Sequence, residues 1–99
     1  PTNPTHRPMP TPTAQNELRR NAILIQLEAA APATLPPETL HQGLRLAGHN
    51  LTPAALDKDL AYLADKNLLT SQQPTLARST RRYRLTATGR DYLESQGLA

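Results

Sequence analysis

The sequence predicts an α+β domain, mostly helical: three helices, a two-stranded hairpin and a C-terminal helix. Three observations carry that expectation. The apolar side chains are chiefly leucine and alanine, with no Phe, Trp or Val and only two Ile, which favours helix over sheet. Three segments combine helical spacing of apolar residues with recognisable starts and stops. Residues 80–86 alternate apolar and arginine side chains, the period of a half-buried strand.

Residues 1–13 read PTNPTHRPMPTPT and hold five of the ten prolines. Proline removes backbone donors and resists helix, and little here is apolar. This segment is expected to be a disordered tail, either a solvated extension or an arm that grips a partner. Residues 14–99 are expected to form one domain.

The first helix is expected over residues 14–30, with Thr13 as N-cap. Leu18, Ala22, Ile25 and Ala29 follow helical spacing, and Leu24 and Leu27 widen the stripe. Arg19, Arg20, Gln26 and Glu28 fall mostly off it. Prolines in residues 31–36 end the helix. The second helix is expected over residues 37–47. Pro37 suits its first turn, and Glu38 favours its positive end. Leu40, Leu44 and Ala47 make the buried stripe, and Gly48 the left-handed stop. Gly43, inside this helix, costs about 1 kcal/mol relative to Ala unless another helix comes close.

The third helix has the clearest start. Thr52 caps, Pro53 takes the first position, and Leu51 and Leu56 are placed for a hydrophobic staple. Leu56, Leu60, Leu63 and Ala64 form its core stripe, and Asn67 its left-handed terminator. Residues 68–71 and 80–86 make the hairpin strands, with Tyr83 and Leu85 inward and Arg82 and Arg84 outward. Thr86 caps the last helix, residues 87–96, anchored by Tyr92 and Leu93.

Composition narrows the function. Without cysteine, disulfides, thiolate catalysis and cysteine zinc sites are excluded. No apolar run reaches the roughly 18–20 residues of a membrane span, and no signal-peptide pattern is present. The expectation is a cytoplasmic protein with no membrane partner. The net charge is +3, and its distribution says more. Residues 66–90 carry Lys66, Arg78, Arg81, Arg82, Arg84 and Arg90 and no acid, whereas the rest of the chain nets −3. That asymmetry points to a local anion-facing patch.

The order of elements resembles a winged helix-turn-helix domain. Thr52-Pro-Ala-Ala-Leu-Asp-Lys-Asp-Leu-Ala-Tyr-Leu-Ala-Asp-Lys-Asn-Leu-Leu resembles the recognition helix and first wing strand of bacterial winged-helix regulators. Arg82-Tyr-Arg-Leu-Thr-Ala-Thr-Gly-Arg-Asp-Tyr-Leu resembles their second wing strand and closing helix. Leu35 sits where that family often has a short third strand. The ending RRYRLTATGRDYLE is also similar to small winged-helix proteins of Mu-like prophages.

The resemblance implies a transcriptional regulator that binds double-stranded DNA, with the third helix in the major groove and the wing on the backbone or minor groove. Carried over, the third helix would present Ala54, Ala55, Asp57, Lys58, Ala61 and Tyr62, with Asp65 at its far end. Thr52, Ala54, Ala55, Lys58 and Tyr62 are taken as the helix contacts, and Arg78, Arg81, Arg82 and Arg84 as the wing contacts. Guanidinium groups suit bidentate phosphate binding or a narrow minor groove. The third helix departs from the pattern by carrying Asp57, Asp59 and Asp65. A carboxylate is repelled by phosphates, although it can accept from a cytosine amino group.

Catalysis is not expected. His6, His41 and His49 show no metal-ligand spacing, so no metal and no cofactor is implied. His41 and His49 read as a surface helix residue and a turn residue. Asp57 and Asp59 would point about 200° apart on a helix, a solvated acidic face rather than a paired-carboxylate site. No small-molecule ligand is evident. The competing reading is a winged helix that binds proteins, using the acidic helix, the basic wing, Tyr62 and Leu98. Homodimerisation is compatible with either.

Overall fold

The computed structural model describes residues 12–72 and 81–99, which form four helices and two strands. The helices are α1 (Pro12–Ala30), α2 (Pro37–Leu46), α3 (Pro53–Asp65) and α4 (Ala87–Ser95), and the strands are β1 (Leu69–Gln72) and β2 (Arg82–Leu85). Residues 1–11, which hold most of the expected tail, and Arg78 lie outside the described residues. The expected order is therefore the observed one. The first helix begins at Pro12, two residues before its expected start, so Thr13 is inside α1 and not its cap.

Local chemistry explains the boundaries. Thr52 caps α3 by accepting from the Ala55 amide at 3.1 Å, and Pro53 follows it. Thr86 caps α4 by accepting from the Gly89 amide at 2.9 Å. Each bond satisfies an amide that the first helical turn leaves without a partner. Asn67 ends α3 with φ 61°, and Gly48 follows α2 with φ 91°, both in the left-handed region. The strands pair antiparallel, with Leu69 opposite Leu85 and Gln72 opposite Arg82. On the far edge of β2, Leu35 forms a bridge to Tyr83, each amide donating to the other's carbonyl at 2.8 Å. At the place where a short third strand is expected, the structure has this single bridge and no strand.

The core lies where α1, α2, α3 and α4 meet the inner face of the hairpin. Its buried side chains are Ile23, Leu24, Leu27, Leu40, Leu44, Leu56, Leu60, Leu63, Leu69, Tyr83, Leu85 and Leu93. Leucine dominates, as the composition requires, and each buried Leu contributes about 1.5–3 kcal/mol. Among the described residues no buried side-chain polar atom lacks a hydrogen-bond partner.

Two expected stripes are corrected. In α1 the inward face is Ile23, Leu24 and Leu27, whereas Leu18 is 57% exposed, Ile25 is 40% exposed and Ala29 faces solvent. The helix is apolar on two opposite sides, so spacing alone leaves its phase open. In α2, Leu40 and Leu44 are buried, but Ala47 is exposed, because the helix closes at Leu46 and the chain turns away.

Close backbone approach decides two glycines. A Cβ at Gly89 would stand 2.0 Å from the Leu68 carbonyl oxygen, so only glycine lets α4 pack on the strand entry. A Cβ at Gly43 would stand 2.0 Å from Oε1 of Gln26, the end of an α1 side chain that also donates to the Leu40 carbonyl at 3.4 Å. The neighbouring helix expected at Gly43 is therefore α1.

Candidate nucleic-acid interface

Helix α3 has two unlike faces. Leu56, Asp59, Leu60 and Leu63 point inward and are buried. Ala54, Asp57, Lys58, Ala61 and Asp65 are exposed, and their spacing places them side by side along the outer surface. Thr52 is exposed at the helix start and Ala55 is half-buried beside it. The expected helix contacts therefore divide: Thr52, Ala54 and Lys58 lie open, whereas Ala55 and Tyr62 sit toward one flank.

Asp59 corrects the expectation of a solvated acidic face. It is 2% exposed and belongs to a charged cluster between α1 and α3. Arg19 donates to both of its carboxylate oxygens: Nε to Oδ2, and Nη2 to Oδ1 at 3.0 Å. Arg20 adds Nε to Oδ1 at 3.3 Å, and Arg19 also donates to Asn16 Oδ1 at 2.9 Å. The hydrogen bond to Asp59 raises the Arg19 pKa above its ordinary value, while burial opposes the shift. With Asp59 neutralised inside, the outer face of α3 bears two acids instead of three.

The cluster continues to Tyr62. The Arg20 guanidinium carbon lies 3.8 Å from the centre of the Tyr62 ring, and Lys66 Nζ lies 5.7 Å from it. Such stacking orders the ring and both cations. Tyr62, 41% exposed, thus marks the flank of α3 that faces α1 and α4. There a hollow of about 440 Å³ is lined by Arg20, Asn21, Tyr62, Lys66 and Tyr92, and Tyr92 donates its hydroxyl to Asn21 Oδ1 at 2.8 Å.

The opposite flank faces the hairpin. Asp57, Ala61 and Ala64 of α3 share a hollow of about 430 Å³ with Ser71 and Arg81. Arg81 is exposed at the entry to β2 and stands beside the outer face of α3.

The other hairpin arginines point elsewhere. Arg82 and Arg84 alternate with buried Tyr83 and Leu85, as the period-two pattern requires. Arg82 lies across the loop between α1 and α2, with Nε donating to Thr34 Oγ1 at 2.6 Å and Nη2 to the Thr34 carbonyl at 2.8 Å. Arg84 lines a separate hollow near Glu28, Pro32 and Arg90. The arginine run is thus spread over three surroundings. Sequence periodicity separates Arg82 and Arg84 from Tyr83, but it carries no sign of the Thr34 partner.

His41 is not a plain surface residue. Its Nε2 donates to the Leu51 carbonyl at 2.8 Å and ties α2 to the turn before α3. Among the described residues no three His, Cys, Asp or Glu stand together as metal ligands. No helix there is long and apolar enough to cross a membrane.

No protein-family model and no curated protein matches this chain. Solved structures do. A PadR family transcription regulator from hypervirulent Clostridium difficile superposes with a TM-score of 0.61 at 20% identity, covering 79% of this chain and 82% of that one. A protein of Thermoplasma acidophilum assigned as a transcriptional regulator gives 0.67 at 16% identity, covering 81% and 75%. A zinc-responsive MarR family member of Lactococcus lactis gives 0.59 at 23% identity, covering 80% and 49%. At these identities the likeness establishes architecture: the chain has the winged-helix fold, with β1 and β2 as its wing. The similarity to Mu-like prophage proteins gains no support from these neighbours.

Proposed function

We propose that this chain is a cytoplasmic DNA-binding regulator that holds double-stranded DNA between the outer face of α3 and its arginine-rich wing. The observation that carries the reading is the shared flank: Asp57 and Ala61 of α3 and Arg81 of the wing line one open hollow. A duplex laid along α3 would meet Thr52, Ala54, Ala55 and Lys58 in the groove and Arg81 at the phosphates. Arg84 lies outside this hollow, beside Glu28 and Arg90, and would meet only a duplex that continues past the hairpin. Arg78 is kept as a wing contact on the strength of the sequence. Arg82 contributes whichever donors its Thr34 contacts leave, and Tyr62 borders the groove on the other side. The winged-helix neighbours are transcription regulators, and this reading carries that role to the present chain. The domain is taken as residues 14–99 with α1 starting slightly earlier, and the reading needs no cofactor and no chemistry.

Because the wing supplies most of the cations, affinity should come mainly from phosphates. Four to six neutralised phosphates imply a log–log salt slope of roughly −4 to −5. Charge reversal tests the surface. Arg81→Glu with Arg84→Glu removes two wing cations and leaves the Arg82–Thr34 bonds in place. The reading expects binding to a duplex to be lost at 0.1 M salt with helical content unchanged. Undiminished binding would place the interface elsewhere.

A homodimer fits the same reading. Along one side of α1 run Leu18, Ala22, Ile25 and Ala29 at spacings of four, three and four. Leu18, Ile25 and Ala29 are exposed, whereas Ala22 is partly buried against the core at the edge of this stripe. An antiparallel second copy would set Leu18 against Ala29 and Ile25 against Ala22, large against small, which is the spacing of a helix seam. Sedimentation of Ile25→Glu beside the unaltered chain tests it: a dimer that falls to monomer supports the seam.

A further inference from the structure

We infer that Asp57 is a base-reading residue that selects cytosine through its exocyclic amino group. This inference rests on the DNA-binding reading and assigns to it a preference that phosphate contacts cannot provide.

Three features of the outer face lead there. First, the acids of α3 have different fates. Asp59 is buried against Arg19 and Arg20, but Asp57 is exposed at mid-helix, beside Arg81 across the shared hollow. It faces the side on which a duplex would lie. Second, its neighbours are short. Ala54 is three residues before Asp57 and Ala61 four residues after, and both are exposed. These positions adjoin it on the helix surface. Two methyl groups flank Asp57 there, and the one long side chain beside them, Lys58, is flexible enough to turn toward a phosphate. A short aspartate can then reach a base edge. Third, a carboxylate only accepts hydrogen bonds. In the major groove the guanine edge offers N7 and O6, both acceptors, and thymine offers O4. Cytosine N4 donates, as does adenine N6, but adenine places its acceptor N7 beside that donor. A lone carboxylate is therefore best matched by cytosine.

The same charge carries a cost on every other sequence, because phosphates repel it. Asp57 would thus lower binding to unmatched DNA and keep affinity where a C·G pair lies beneath it. That is specificity by penalty as well as by contact.

The test is selection from a duplex library with a randomised core, using the full chain and the variants Asp57→Ala and Asp57→Asn, with circular dichroism confirming their fold. The unaltered chain should enrich cytosine at one position by about tenfold, within the range for a good base contact. Asp57→Ala should flatten that position and bind random duplex more tightly. Asp57→Asn should turn the preference toward adenine, whose N6 and N7 suit a side-chain amide. A flat profile for the unaltered chain, or a preference that neither variant changes, overturns the assignment and leaves phosphate binding standing. No binding to duplex at low salt overturns the DNA-binding reading and this inference together.

Discussion

Asp57 and Asp59 stand two residues apart on one helix and occupy opposite environments. Asp59 is buried on the same helix as Leu56, Leu60 and Leu63 and neutralised by two arginines from α1. Asp57 is exposed and shares its hollow with a wing arginine. The inner face of α3 fixes the helix to the domain, and the outer face is left for recognition. A count of charges along the helix merges these roles. Net charge describes a binding surface only after the buried charges have been removed from it.

That contrast can be broken by substitution, and the largest effects should fall on the inner face. Leu60→Ala should cost about 4 kcal/mol in urea unfolding, within the range for a fully buried leucine. Asp59→Ala should cost about 3 kcal/mol. That is the lower end for removing one partner of a buried ion pair, since Arg19 and Arg20 keep side-chain exposures of 21% and 28%. Asp57→Ala, the matching change outside, should stay within about 0.5 kcal/mol. Equal losses for the two aspartates would erase the distinction between the faces.

The glycines sharpen it at smaller scale. Gly89→Ala should cost about 2 kcal/mol, because its methyl would meet the rigid Leu68 carbonyl. Gly43→Ala should change stability by less than about 1 kcal/mol. Its methyl meets only the end of Gln26, which can swing aside, and the better helix propensity offsets that movement. Thermal melts of the two variants, side by side, check whether backbone or side chain sets the limit.

Much of the architecture was legible in the sequence. Caps at Thr52 and Thr86, the stop at Asn67 and the alternation through Tyr83 and Leu85 depend on local chemistry, and all stand in the structure. The phase of α1 was less legible, because Leu18 and Ile25 on one side match Ile23, Leu24 and Leu27 on the other. Only the tertiary neighbours choose between the two faces. Asp59 carried a signal that charge obscured: it is three residues after Leu56 and four before Leu63, inside the apolar stripe. The arginines of α1 that neutralise it are about 40 residues away in sequence. The Arg82–Thr34 contact is equally nonlocal and left no periodic trace. Local rules placed the elements, and long-range charge pairing decided which charges remain outside.

The central claim is that the outer face of α3 and the wing together hold DNA through phosphates. Titration of binding to a random duplex between 0.05 and 0.3 M salt, for the unaltered chain and Arg81→Gln, tests it most directly. The predicted result is a log–log slope of roughly −4 to −5, reduced in magnitude by about 1 in the variant. A salt-independent signal, no binding at the lowest salt, or an unchanged slope in Arg81→Gln would contradict the claim.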